Sequence, residues 1–346
     1  MNDTKTATSA SAPKNAGIAR TARLADLLRA GAVLFLLAGL IVFYSLAQPA
    51  FLNLNNLLSI LQAVSVVAIL GVGVTVTLSV GGFDLSVGAV AASSVMAASY
   101  AMVVWSLSAS ATVLFVLALG ATVGLVNSLL IVRLRVPDLL ATLSMMFLLS
   151  GLQLIPTAGR SISSGLILPD GTKAAGAYDP AFLLIGRSGV GGVPLPVIVM
   201  LCVAVVRFVL TERTRIGRLF FATGGNEVAA RLAGANTARL KTLAYVTSGT
   251  LASLGGIIIA ARVGRGDVSS GSSLMMDSVA AALIGFAVLG ARRPNVFGTV
   301  VGAIFVGVLL NGLTMLNIPY YTQDFVKGAV LVGALALTYG LGRRTV

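Results

Sequence analysis

The chain has 346 residues, of which 57% are apolar and only 10% charged, and its mean hydropathy is +0.98. A soluble domain carries about 25% charged residues, so a water-soluble globular protein is excluded, and apolar blocks of about 17 to 24 residues suit repeated crossings of a hydrocarbon core about 30 Å thick. The net charge of +13 would suit nucleic acid, but the basic residues lie between the apolar blocks, where they report topology instead.

Residues 1–29 read as a cytoplasmic, weakly basic tail rich in Ala, Ser and Thr, a composition that predicts disorder, and 30–346 as a single transmembrane domain. Ser45-Leu46-Ala47 resembles a signal-peptide cleavage site, yet the basic lead and the apolar run are both long for a signal sequence, which predicts an uncleaved first span. Ten apolar stretches follow one another at 30–48, 57–80, 85–104, 110–132, 138–155, 193–210, 243–261, 274–290, 296–316 and 324–341. The expected fold is all-α and polytopic, with about ten spans and both termini on one side. A cytoplasmic N-terminus places 18 Lys and Arg inside against five outside (Arg160, Lys173, Arg187, Arg262, Arg265), with Lys327 at the edge of the last span. Positive loops resist translocation, so both termini are predicted to be cytoplasmic.

Residues 70–80 alternate β-branched residues and alone would read as a strand. Inside an apolar block they read as helix, because an open strand edge in lipid leaves backbone groups unpaired; Gly71 and Gly73 are candidate break points. The pairs Gly120/Gly124 and Gly298/Gly302 predict close helix crossings. Cys202 lies in an apolar run and predicts inert packing. Two hydrophilic segments remain, 156–192 outside and 211–242 inside, and these are where partners can touch.

The chain has no His, no G-x-x-x-x-G-K-[ST] phosphate loop and no Cys cluster, which argues against a hydrolytic triad, a zinc site or ATP binding of its own. No cofactor is predicted. A membrane enzyme is disfavoured, leaving transporter, channel or scaffold.

The cytoplasmic segment carries the strongest local signal. Asn226 is a good N-cap, Glu227 stands in the first turn where the helix dipole favours a negative charge, and Gly234 is a natural helix stop. A short helix is predicted from 227 to about 233, with Ala229, Ala230, Leu232 and Ala233 on its exposed face. A small apolar helix facing water reads either as a solvated connector or as an element that docks in a groove on another protein.

The run Gly224-Gly225-Asn226-Glu227-Val-Ala229-Ala230-Arg231-Leu-Ala-Gly234 resembles the EAA coupling loop of ABC importer permeases, in the form found in ribose-type sugar permeases. Gly81-Gly82-Phe83-Asp84-Leu85-Ser86-Val87-Gly88 is similar to a Gly-Gly-Ile-Asp-Leu-Ser-x-Gly motif of the same permeases. The stretch from Asp277 to Gly285, followed by Gly298 and Gly302, resembles their C-terminal half. Departures are Met275-Met276 ahead of Asp277, and Phe286, Ala287 and Ala291 where the family favours Gly or Ser. The resemblance covers roughly residues 50 to 340. It implies a bacterial inner-membrane permease subunit that catalyses nothing itself and imports a monosaccharide. It further implies a second permease subunit, an ABC ATPase gripping Gly225, Asn226, Glu227, Ala229, Ala230, Arg231 and Gly234, and an extracytoplasmic solute-binding protein. Related permeases carry a nucleoside, a furanose signal or a branched-chain amino acid, so these remain alternatives for the small polar solute.

Polar groups at membrane depth are the other candidates. Asp84 reads as the cap of a new helix or as a cavity-lining residue at a helix break. Asp277 is read as opening the eighth span; Asn127 and Asn311 lie within spans and read as interhelical hydrogen bonds or as pathway groups. A proton-coupled secondary transporter would use Asp84 and Asp277. Aromatics make up only 6%, with Trp105 the sole Trp, which is poor equipment for tight sugar binding and is consistent with affinity residing in a separate binding protein.

Overall fold

Within lipid every backbone N–H and C=O must find its partner inside the chain, so apolar sequence folds as helix whatever its β-propensity. The computed structural model describes residues 31, 33–168, 171–269, 271–288 and 293–340; the predicted tail at 1–29 lies outside them. The helices are α1 Val33–Ala47, α2 Leu54–Ser79, α3 Val87–Val103, α4 Ala109–Ser128, α5 Asp138–Leu152, α6 Pro180–Arg187, α7 Leu195–Phe208, α8 Arg215–Gly225, α9 Glu227–Leu232, α10 Thr237–Val263, α11 Ser272–Ala287, α12 Val296–Met315 and α13 Tyr320–Gly340. A π turn prolongs α4 over Leu129–Arg133 and another prolongs α7 over Val209–Arg213. Among the described residues six helices are long and apolar enough to cross a membrane, namely α2, α4, α5, α7, α10 and α12 with their extensions, and α1, α3 and α11 are shorter apolar helices. The protein is an all-α polytopic membrane protein.

Helix α2 runs unbroken through Gly71 and Gly73, so neither glycine is the break considered from sequence. They serve close approach instead: a Cβ on Gly71 would stand 3.0 Å from the Thr299 methyl, and one on Gly73 would stand 3.3 Å from Ser248 Cα. The break comes at Gly81, whose φ of +78° only glycine adopts without strain. The predicted close crossings are present. A side chain on Gly120 or Gly124 would collide with backbone of α10 at Gly249 and Tyr245, and one on Gly298 or Gly302 with backbone of α11 at Gly285 and Ala281. Cys202, read from sequence as inert packing, is exposed on α7, on an apolar outer face of the bundle.

The segment 156–192 is folded onto the bundle. Ile162 bridges Gly266, the Tyr178 hydroxyl bonds Ser99 of α3, and the Arg187 guanidinium donates to the carbonyls of Arg262 (3.0 Å) and Val263 (3.2 Å) at the end of α10. A two-stranded hairpin pairs Gly189–Val190 with Val193–Pro194.

The chain also carries an internal repeat. The pattern G-x-x-D-[LV]-S-x-G stands at 81–88 and again at 264–271. Each copy follows a long helix, α2 or α10, and precedes a shorter one, α3 or α11. Each opens on a left-handed glycine, Gly81 at φ +78° and Gly264 at +74°. In each the Asp takes both the N–H and the hydroxyl of the Ser two residues on, at 2.9 and 2.6 Å for Asp84 and at 3.0 and 2.9 Å for Asp267. Helices α2 and α10 pack antiparallel, since Gly73 meets Ser248 while Gly255 meets Leu70. The two copies are therefore inverted, and α3 and α11 start against each other where Gly88 meets Gly271.

Candidate functional site

Helix α9 is six residues long, too short to be stable alone, and its ends are fully specified. Asn226 holds an extended backbone, and its Oδ1 accepts from the Ala229 N–H at 2.9 Å. Gly234, at φ +87°, closes the other end: its N–H bonds the Arg231 carbonyl and the Ala235 N–H bonds the Ala230 carbonyl, both at 3.0 Å, which is the Schellman arrangement. Glu227 is held twice, by Arg231 Nη2 at 2.9 Å and by Lys241 Nζ of α10 at 2.5 Å. The hydrogen bond from Lys241 is the main reason its carboxyl lies below the usual range.

That anchor also decides which face is exposed. Ala230 stands one turn from Glu227 on the side turned to α10 and is 7% exposed, so it does not belong to the exposed face expected from sequence. Val228 replaces it: Val228 is 69% exposed and Leu232, one turn on, 85%. With Ala229 and Ala233 they form an apolar face turned to water. Sequence reading missed Val228, although its i, i+4 spacing to Leu232 was visible. A cleft of about 1040 Å³ separates α9 from the α4–α5 corner, with Arg135, Asp138, Arg231, Lys241 and Tyr245 on its walls.

The Asp84 turn stands deeper and is 1% exposed. Its Oδ1 takes the two Ser86 groups and its Oδ2 takes the Ser248 hydroxyl of α10 at 2.7 Å. Asn127 of α4 donates to the Ser86 hydroxyl at 2.9 Å, so two residues that sequence reading treated separately belong to one network. Ser86, the residue before α3, makes no side-chain cap bond to that helix, and Asp84 braces the turn ahead of it. Asp138 at the start of α5 accepts the Phe83 N–H at 2.6 Å. Ser248 carried no signal in the sequence.

At the other end of the molecule Asp277 sits in the second turn of α11, not at its opening, and is buried against Lys327 of α13 at 2.7 Å. Lys327 is itself buried and also pairs with Asp324 at 2.9 Å, so it is a bundle residue and not a loop charge. A buried carboxylate draws its partner inward, which hydropathy alone does not show. Asn311 exchanges two hydrogen bonds with Asn56 of α2, at 3.1 and 3.0 Å, which is the interhelical bond anticipated. Among the described residues no group of three His, Cys, Asp or Glu is placed to hold a metal ion.

The family described as "Branched-chain amino acid transport system / permease component" matches residues 56–335. The chain is 37% identical over 300 residues to the ribose import permease protein RbsC of Escherichia coli K12, covering 86% of this chain and 89% of that one. It is 28% identical to the xylose transport system permease protein XylH of Haemophilus influenzae, over 88% of this chain and 94% of that one. It is 31% identical to the autoinducer 2 import system permease protein LsrC of Klebsiella pneumoniae, over 88% and 84%. No solved structure was found to match it. Matched over most of its length, with its apolar helices forming a multi-pass protein of the bacterial inner membrane, the chain belongs to the permease family of branched-chain amino acid transport systems, in its ribose-type branch.

Proposed function

We propose that the chain is the membrane-spanning subunit of an ABC importer that brings a monosaccharide, a pentose or hexose, into the cytoplasm. About ten helices cross the membrane, with both termini in the cytoplasm, as the 18 to 5 partition of basic residues favours. The observation that carries the reading is α9, a doubly capped and anchored helix whose Val228 and Leu232 side chains face water. A docking partner would cover that face, and an ABC ATPase is the partner that the relatives' role as import permeases favours. Gly225, Asn226, Glu227, Ala229, Ala230, Arg231 and Gly234 build and hold the coupling element. Two permease subunits enclose the pathway, and a solute-binding protein delivers cargo at the 156–192 end.

Asp84 and Asn127 belong to the inner end of that pathway, Asp277 and Asn311 to the outer. The ribose and xylose relatives favour a sugar, and the autoinducer 2 relative favours a furanose signal as the second reading. Affinity purification of the tagged chain from native membranes in mild detergent, followed by mass spectrometry, tests the assembly. Co-purification of an ABC ATPase and a solute-binding protein is expected. Recovery of the chain alone, with uptake that survives ATP depletion and collapses with the proton gradient, would refute it and favour a proton-coupled carrier.

A further inference from the structure

The inverted repeat makes two helix crossings equivalent, α4 on α10 and α12 on α2, yet they are packed differently. In the first, Gly120 and Gly124 lie directly on α10 backbone and leave no room. In the second, the position matching Gly249 is Val66 and the one matching Gly120 is Ala303, as read by aligning Gly81 with Gly264. Here the close approach is to a side chain and not to backbone, since a Cβ on Gly307 of α12 would meet the Val64 side chain of α2. A cavity of about 450 Å³ opens between α2, α10, α11 and α12, within the roughly 300–1,000 Å³ usual for small-molecule sites. It lies at the end of the molecule that carries the 156–192 segment, away from α9.

Its polar lining is Ser59, Arg262, Ser273, Asp277, Asn311 and Thr314, set among aliphatic side chains. Arg262 is half-buried, and among the described residues its guanidinium has neither a hydrogen-bond acceptor nor an ion-pair partner; Arg187 touches only its carbonyl. Asp277 gives Oδ1 to Lys327 and leaves Oδ2 free of any hydrogen bond among the described residues. Arg262, with five N–H donors in a planar fork, and Asp277, with one open carboxylate oxygen, thus line the same cavity. A neutral molecule with adjacent hydroxyls satisfies both, since its oxygens accept from the fork and one hydroxyl donates to the carboxylate. An anion would meet Asp277, and an apolar solute would leave Arg262 unpaired, at a cost in affinity.

We propose that this cavity is the entry subsite for the cargo, in which Arg262 and Asp277 grip vicinal hydroxyls of a pentose or hexose after its release from the binding protein. The proposal rests on the sugar-import reading. The cavity has no aromatic platform, so it holds sugar weakly and passes it on.

The test uses cells carrying the complete transport system and radiolabelled D-ribose, with D-xylose and D-allose as a panel. Arg262→Gln should reach the membrane normally and lower uptake at limiting sugar by about tenfold or more, the loss expected for one charged hydrogen-bonding group. Arg262→Lys keeps the charge, loses the fork, and should fall between. Because a substitution can disturb folding, Ser59→Cys and Thr314→Cys, each in a Cys202→Ser background, give a second readout: an impermeant methanethiosulfonate applied from outside should label them, and saturating D-ribose should slow the labelling. Sugar uptake by the wild type with an unimpaired Arg262→Gln variant and no protection would overturn the subsite while leaving the sugar reading intact. A wild type that imports none of the panel would overturn the sugar reading, and the subsite with it.

Discussion

Replacing Asn226 by Ala removes the one side-chain bond that starts α9, the 2.9 Å contact from the Ala229 N–H. Loss of such a cap costs about 1 kcal/mol, which lowers the ratio of formed to frayed helix about fivefold. In a long helix that would pass unnoticed. Here the helix has six residues and cannot persist on propensity, so its population rests on the cap, the Gly234 closure and the Glu227 anchor. Hydrogen exchange in detergent should show the 227–234 amides losing about fivefold in protection, while those of α10 keep theirs. If α9 transmits force from an ATPase, expression-corrected initial uptake should fall by up to the same factor, and Asn226→Asp, which supplies the same acceptor, should restore both. Unchanged protection in the Ala variant would refute the energetic reasoning. Lost protection with unchanged uptake would refute the coupling role.

Four further outcomes follow from the same geometry. Gly234→Val forces a β-branched residue to φ +87°, at about 1–2 kcal/mol or more, and should uncouple uptake while insertion, read by protease accessibility, stays intact. The Glu227 carboxyl, held low chiefly by Lys241, contributes its full stabilisation above the ordinary carboxylate value of about 4.3 and loses it only as pH falls through the lower folded value; protection factors at 227–234 should thus be flat between about pH 6 and 8 and drop in Glu227→Gln. Asp84→Asn keeps an acceptor for the Ser86 N–H and should preserve the melting temperature, whereas Asp84→Ala leaves that N–H and the Ser248 hydroxyl unpaired at about 1–3 kcal/mol each. Uptake by the Asn variant then tells whether the charge itself is used. Gly224→Ala places a Cβ 2.6 Å from the Ser79 carbonyl and 2.9 Å from the Gly81 N–H, and should impair uptake more than it impairs melting in detergent.

The apolar periodicity located the long helices because, in lipid, length and hydropathy leave no competing structure. Caps and stops were equally readable at Asn226 and Gly234, since those depend on residues adjacent in sequence. What stayed hidden depended on tertiary partners. Ala230 is buried because Glu227 reaches Lys241 on another helix, and nothing local announces that contact. Lys327 looked like a boundary charge until Asp277 was found beside it. Gly71 and Gly73 looked like hinges, since a glycine needed for close packing and one needed for a turn are the same letter. The repeat at 81–88 and 264–271 was in the sequence throughout, but Arg265-Gly266-Asp267 shares only its Asp with the corresponding stretch of the first copy. Only the matching Asp–Ser turn geometry shows it to be the counterpart of Gly82-Phe83-Asp84.

The Gly224 contact connects the two ends of the functional proposal. Helix α8 ends at Gly225, immediately before the cap of α9, and Gly224 lies with its backbone directly on Gly81, where neither residue leaves room for a side chain. Gly81 opens the turn whose Asp84 is bonded to Ser248 of α10 and, through Ser86, to Asn127 of α4. A displacement of α9 by a docked partner therefore reaches Gly81 through backbone, without a flexible side chain to absorb it. Two of the three bonds at Asp84, from the Ser86 and Ser248 hydroxyls, are hydroxyl–carboxylate contacts that can be exchanged for water or for a hydroxylated solute at modest net cost. The first copy of the repeat is thus closed by bonds that can open and sits next to α9, the element that a docked partner would push. In the second copy, among the described residues, Asp267 bonds only to Ser269 and its own Arg265, in a turn beside the cavity that is already open. If α9 is the coupling helix proposed above, two copies of one motif, one sealed beside it and one unsealed at the opposite end, are the arrangement alternating access would require, with the sealed copy the one a docked partner would control.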